Sequence, residues 1–492
     1  MTSVRRGAAL AVMLPLGGCL MVGPDYTRPV AIVSAQYKEF KGWKPALARD
    51  DEEKGRWWTV LRDPELNRLE EMVAVSNQTV IADEANYRQA LALLGQARAS
   101  LAPVLNFNPS FTRASPGTDA LNAEVRASWT LDIWGKLART VEEQGAATQA
   151  SAALLANATL AAQATLALAF VQLRQADSLR DLLTTTTASY QRSFSVAQNQ
   201  YNAGTAAKSD LITAQALLLQ TRAQLINVDV ARTQSEHAIA VLVGRPPAEL
   251  TITHGRLADN PPIVPAGVPS SLLERRPDIA AAERVMQQQN AAIGVAVGGY
   301  YPDITLSGAA GYAGNPFVRQ IAGANPVWAY ALSLAQPLFN GGLTDAQVAA
   351  ATAGYQASVA TYRQTVLTAF QQVEDNLSVI RVLGEEISVQ TLATKAAEQA
   401  AGIALNEYRA GTQSYTTVVT AQAIALADEQ TLLLTRAQRF SATVNLVVAL
   451  GGGWSKDRLP DLDPVAVARR RNAPLQGEGG ATRLLAVKDE AT

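Results

Sequence analysis

The stretch LNAEVRASWTLDIW, residues 121–134, alternates without exception. Leu121, Ala123, Val125, Ala127, Trp129, Leu131 and Ile133 fall on one side; Asn122, Glu124, Arg126, Ser128, Thr130 and Asp132 fall on the other. A period of two is that of a β-strand with one wet face. Upstream, Leu105, Phe107, Pro109 and Phe111 alternate with Asn106, Asn108, Ser110 and Thr112, and the intervening ASPGTDA is turn-forming. Strands are therefore expected at about 103–113 and 121–134, joined as a hairpin. Weaker alternation flanks the loop residues AGNPF and GANP, giving a second hairpin with strands at about 303–312 and 327–337. Strands of about 9 to 11 residues cross an outer membrane when tilted. Val125, Trp129, Tyr330 and Leu332 are expected to face lipid, and Arg126 and Thr130 a lumen.

Four strands cannot close a barrel, and an open edge in lipid leaves backbone groups unsatisfied, so closure must come from other subunits. Eight strands from two chains would be nearly filled by side chains, whereas twelve from three would leave a lumen.

Each hairpin stands directly before a very long proline-free segment, between Pro116 and Pro246 and between Pro337 and Pro460. Composition rich in Ala, Gln and Leu favours helix there. Lys136 to Ala203 gives roughly 100 Å of helix and Thr205 to Val243 roughly 60 Å, at about 1.5 Å per residue. Pro64 to Leu101 is expected to cover the remaining length end to end. The second half repeats the scheme with Leu343 to Ala410, Thr412 to Leu450 and the shorter Pro277 to Val297. YNAGT at 201–205 matches YRAGT at 408–412, ITAQA at 212–216 matches VTAQA at 419–423, and Gly244 matches Gly451, all 207 residues apart. Gly135 and Gly341 differ by 206, which asks for a one-residue adjustment. Gly204 and Gly411 are the C-terminal glycines of turns between antiparallel helices. Leu211, Ala214, Leu218, Thr221, Leu225 and Val228 form a coiled-coil seam with small residues.

The amino terminus carries Arg5 and Arg6, then an apolar run to Leu16, the layout of a secretory signal over 1–18. Leu16-Gly17-Gly18-Cys19 resembles a bacterial lipobox, and Cys19 is the single cysteine of the chain. Leu20 in place of Asp points the lipid to the outer membrane.

With 42 basic and 43 acidic residues among 492, the chain has no field to steer nucleic acid. Beyond the signal, no stretch approaches about 18 uninterrupted apolar residues, so a crossing must be made by strands. His237 and His254 have no acidic or cysteine partners at metal-ligand spacing, and no phosphate loop, dinucleotide fingerprint or nucleophile elbow is present. Glu274, Arg275, Arg276, Pro277 and Asp278 read as a helix start rather than an acid/base site. No enzyme activity, metal or cofactor is expected.

CLMVGPDYTRP (19–29), WWTVLRDPELNRLEEM (57–72), SLLERRPDIAAAERV (271–285), YYPDITLSG (300–308), the two YxAGT turns and VALGGGW (448–454) together resemble the outer-membrane factor family of TolC-like exit ducts. The likeness is to its NodT-type lipoprotein branch, which serves resistance-nodulation-division efflux systems. That resemblance implies a mixed α and β membrane protein, a homotrimer whose 12-stranded β-barrel continues into a periplasmic α-helical barrel with an equatorial domain. It implies partnership with a periplasmic adaptor and an inner-membrane pump, and passive conduction of small toxic solutes. The expected division is 1–18 signal, 19–63 anchor and equatorial segment, 64–244 first efflux repeat, 245–276 linker, 277–454 second repeat and 455–492 tail. Tyr201, Gly204, Thr205, Tyr408, Gly411 and Thr412 are assigned to a periplasmic tip where a partner docks.

Many relatives have Asp where this chain has Thr420, so the entrance constriction is assigned to Thr420, its repeat mate Thr213, and Asp210, taken as the acid nearest a tip turn. Two other functions share these features: an envelope-spanning structural lipoprotein without a pore, and the outlet of a protein secretion system.

Overall fold

The structure is a computed structural model that describes residues 21–30, 37–39, 55–114, 118–262, 275–314 and 325–460. The signal, Cys19 and the tail beyond 460 lie outside the described residues. Among these, seven helices and four strands alternate in two halves. Helices α1 (Pro64–Ser76) and α2 (Gln78–Ala99) lead into strands β1 (Val104–Ala114) and β2 (Thr118–Leu131). Helices α3 (Lys136–Asn202) and α4 (Lys208–Leu242) follow. The second half comprises α5 (Pro277–Gly298), β3 (Asp303–Gly314), β4 (Asn325–Ala335), α6 (Leu343–Arg409) and α7 (Tyr415–Ala449).

The two halves match in length element by element. Helices α3 and α6 each have 67 residues, and α4 and α7 each have 35. Helices α2 and α5 each have 22. The residue before the first long helix is Gly135 at φ 75°, and its counterpart is Gly342 at φ 86°. Gly342, not Gly341, is therefore the repeat mate of Gly135, and the 207-residue spacing needs no adjustment. The extra residues lie in the preceding turn, QPLFNG against DIW.

The continuous helix expected over 64–101 is broken at Asn77, whose extended backbone ends α1 and caps α2. Its Oδ1 accepts from the amides of Thr79 and Val80, and its Nδ2 donates to Leu242 O at 2.8 Å. An Asn side chain that satisfies the orphan amides of a helix start favours termination over continuation. The second half makes the same junction with a different residue, since Arg276 donates to Ala449 O at 2.9 Å. Asp132 caps α3 from outside, accepting from the amides of Leu137 and Ala138.

The best-filled core lies where α1 meets the middle of α3 and the end of α4. Leu66, Leu69 and Val73 pack on Leu166, Phe170, Leu173, Ile239 and Val243, with Leu250 and Ile252 closing the cluster. Each such side chain contributes about 1.5 to 3 kcal/mol when fully buried. Helix α3 is long and apolar enough by composition to cross a membrane. Leu166, Phe170 and Leu173 from this helix instead contribute to the core, and buried Arg174 and Asp177 follow directly. The expected seam on α4 is present: Ala214, Leu218, Thr221 and Val228 are buried, while Leu211 and Leu225 are partly covered.

Strand boundaries differ from expectation by a few residues. Strand β2 starts earlier and ends at Leu131, because Asp132 is drawn into capping α3. Strand β4 starts earlier and ends at Ala335.

Candidate functional site: the sheet and the far helical turns

The strands form one antiparallel sheet in the order β1-β2-β3-β4. Register aligns Phe107, Val125, Ala310 and Trp328 across it, and likewise Trp129, Leu306 and Leu332. Paired residues share a face, so these rows define an apolar side. Phe107, Trp328, Tyr330 and Leu332 are 66%, 74%, 78% and 68% exposed, far beyond what a water-facing sheet would carry. The opposite face aligns Asn106 with Arg126, Asn108 with Glu124, and Thr130 with Thr305 and Ser333. It encloses a concavity of about 590 Å³ in which Arg126 and Glu124 form an ion pair. Val125, Trp129, Tyr330 and Leu332 thus lie on one face, and Arg126 and Thr130 on the other. Strands β1 and β4 each leave one edge unpaired within the chain.

At the base of the sheet, Trp134 stacks on Tyr301 at 5.0 Å and donates to Pro302 O at 2.9 Å. The segment that follows Cys19 is tied to this same place. Val22 donates its amide to Trp134 O at 3.0 Å and accepts from buried Arg139 Nε at 3.0 Å. Arg139 also reaches Asp25 at 2.8 Å, and Asn290 donates to Pro24 O.

The other ends of the long helices turn back at Gly204 and Gly411, with φ of 74° and 77°. Thr205 N donates to Gln200 O at 2.9 Å and Thr412 N to Glu407 O at 3.0 Å, six-to-one closures that require the left-handed residue between. Each Thr hydroxyl doubles the bond by donating to the same carbonyl. The repeat mates Tyr201 and Tyr408 part company here. Tyr201 is 37% exposed, whereas Tyr408 is buried edge-on against Tyr415, with centroids 4.9 Å apart.

Asp210 lies beside Tyr408 and Tyr415, and both phenols are pushed up, by burial first and with its charge contributing. Thr213 and Thr420 are exposed, and their hydroxyls donate to Ser209 O and Thr416 O. The structure thus unites Asp210 with the tyrosines of the second turn. Asp210 is also not the acid nearest a turn, because Glu407 closes the second one with its own carbonyl.

Between sheet and turns, buried Asp177 accepts from Arg232 at 2.8 Å and from Gly255 N at 3.1 Å. His254 bridges Asp177 and Asp181 at 3.3 and 3.2 Å, and Arg256 holds Asp181 at 2.6 Å. This clamp straps 250–257 onto α3. Its members are about 77 residues apart, so no local spacing betrays them.

A sheet apolar on one face, polar on the other and continuous with helices of about 100 Å defines a membrane channel subunit with a long helical extension. The family described as outer membrane efflux protein matches residues 70–245 and 268–452. Toluene efflux pump outer membrane protein TtgC of Pseudomonas putida is 29% identical over 455 residues, spanning 89% of this chain and 93% of the relative. Outer membrane protein OprJ of Pseudomonas aeruginosa is 28% identical over 468 residues, spanning 92% and 96%. The solved outer-membrane channel OprN superposes with a TM-score of 0.81 at 26% identity, covering 88% of this chain and 99% of that one. The open-state MtrE channel of Neisseria gonorrhoeae, at 24% identity and a TM-score of 0.78, shares the fold. The chain belongs to the outer membrane efflux protein family, a family of efflux ducts.

Proposed function

We propose that the chain forms a homotrimeric, lipid-anchored exit duct. It passively conducts small toxic solutes delivered by an inner-membrane resistance-nodulation-division pump and a periplasmic adaptor. The observation that carries this reading is the sheet with one lipid-like face, one polar face and two free edges. Three copies give twelve strands, an antiparallel ring without edges and with room for water. A spacer without a pore has no use for the polar face. The toluene efflux name of a relative fits small hydrophobic cargo.

Internal symmetry supports the assembly independently. Helix α5 packs on α3 through Gly294, where an added Cβ would lie 2.8 Å from Arg139 Cγ. Its mate in α2 is Gly95, where an added Cβ would meet nothing within 4 Å. Glycine inside a helix costs about 1 kcal/mol relative to alanine, so a close neighbour is the natural reason to keep it. That neighbour is the start of α6 in a second copy, where Ala346 stands at the position of Arg139. Leu338 and Phe339, 95% and 91% exposed in the turn before α6, complete the same surface. Anchoring at Cys19 is supported by the binding of Met21 and Val22, the first described residues after it, at the base of the sheet.

Cysteines at Gly95 and Ala346 together are expected to yield covalent dimers and trimers in isolated outer membranes, and neither substitution alone should do so. Absence of any inter-chain product from the pair would overturn the trimer. Mass spectrometry of the mature amino terminus should find the added mass of three acyl chains on Cys19.

A further inference from the structure

The polar face of the sheet is short of charge. Among its described side chains, charge occurs at Glu124 and Arg126 of β2 and at Asp303, the first residue of β3. Asp303 is met at the base by Lys136 at 3.3 Å. The neighbouring Asn106 and Asn108 of β1, Ser128 of β2 and Ser307 of β3 are neutral. Glu124 and Arg126 therefore stand alone near the middle of the longest strand, with Arg126 about 17 Å along it from Leu131 at about 3.4 Å per residue.

Their surroundings display the pair instead of covering it. Across the strand boundary Arg126 meets Ala309 and Glu124 meets Gly311. At Gly311 an added Cβ would lie 2.6 Å from Glu124 Cα, so glycine keeps the space beside the acid clear. The two side chains form an ion pair in which Arg126 is 63% and Glu124 22% exposed. Both neighbours of β2 belong to its own chain, so pairing at the free edges of the sheet leaves this arrangement in place. An exposed ion pair adds little stability, and a neutral amide would be hydrated as well, so folding gives no reason for charge here.

We propose that, with the polar face as the wall of a lumen, the Arg126 and Glu124 pairs of the assembled chains form a charge-selecting ring inside the barrel, and that this ring favours anionic amphiphiles. The inference rests on the reading of the chain as a duct. Rings of charged side chains set selectivity in pores, and lumen substitutions tune it in barrels. A guanidinium has five N–H donors and a carboxylate takes two of them in a fork, so donors remain for the carboxylate or sulfonate of a passing solute. Glu124, the more sheltered partner, holds the net charge down. The anion is then met without being trapped, as conduction requires. The ring is also separate from the entrance constriction, because the 67 residues of α3, about 100 Å of helix, stand between them.

The test uses Ala309→Cys, which places a thiol beside Arg126 on the neighbouring strand. Single channels are recorded in a planar bilayer while a sulfonate-bearing or a trimethylammonium-bearing methanethiosulfonate is applied from the barrel side. The fall in conductance times each reaction, and rates are normalised to those with a free thiol. In the otherwise unaltered chain the anionic reagent should react about twofold faster. Added to that background, Arg126→Gln should turn the preference to the cationic reagent, and Glu124→Gln should raise the anionic preference. Each should move the ratio of rates about five- to tenfold, because one charge a few ångströms away acts oppositely on the two reagents. A ratio that stays the same in all three chains, with conductance still falling, would overturn the ring and leave the duct standing. Conductance unmoved in chains whose thiol is modified by mass spectrometry would overturn both, because the polar face would then line no lumen.

Discussion

Glu70 is an acid without a partner: it is fully buried in α1, and neither of its carboxyl oxygens is hydrogen-bonded among the described residues. Burial alone pushes its carboxyl up to about 9. A raised acid keeps its proton when folded but loses it when unfolded, so the stability it withholds grows as pH climbs from the unfolded value through the folded one. Glu70→Leu should therefore raise the melting temperature at pH 8 well above its effect at pH 5, by an amount consistent with several kcal/mol. Equal shifts at both pH values would mean that Glu70 has a partner in the assembled protein. Asn77→Ala removes two capping bonds and the link to Leu242, and should cost about 1 to 2 kcal/mol in denaturant unfolding. Neither residue was legible in advance. Glu70 sits inside LNRLEEM, where a wet face and a buried face look alike until α3 covers one of them. Asn77 lies in a helical pattern with no Gly or Pro to mark the break.

Elements were read more securely than residues, because long proline-free runs and strict alternation are collective signals. The helices end within a few residues of expectation, and both turns fall on the glycines singled out. Proximity escaped notice: Asp210 was assigned to the entrance constriction with no sign that it lies near Tyr408 and Tyr415, more than 190 residues away in sequence. At each turn glycine an added Cβ meets nothing within 4 Å, so the main cost of substitution is backbone strain, about 1 to 2 kcal/mol. Gly204→Val and Gly411→Val should leave trimers intact on native gels while lowering solvent or antibiotic resistance in a complemented strain. Full resistance from both variants would move the functional tip elsewhere.

For the whole molecule, the two faces of the sheet make opposite demands. Val125→Arg should destabilise the assembled barrel by about 2 to 4 kcal/mol if it sits near the bilayer midplane, whereas Thr130→Arg should assemble normally and alter single-channel conductance. Similar conductance and stability in both variants would argue against a membrane barrel. The architecture was legible from the repeat, since a constant spacing across both halves fixes which elements correspond. The clamp around Asp177 was not, because ion pairs carry no periodicity. Equal helix lengths also bear on stoichiometry. Three chains would raise six hairpin turns to nearly the same height, and a partner that felt only backbone would count six. Side chains break the count, because Lys208 stands exposed after one turn where Tyr415 is buried after the other. A presented cation and a withheld ring then alternate around the rim like odd and even numbers: a partner fitted to one kind binds three times, and one that tolerates both binds six. The subunit ratio of a purified assembly would report which of the two the partner recognises.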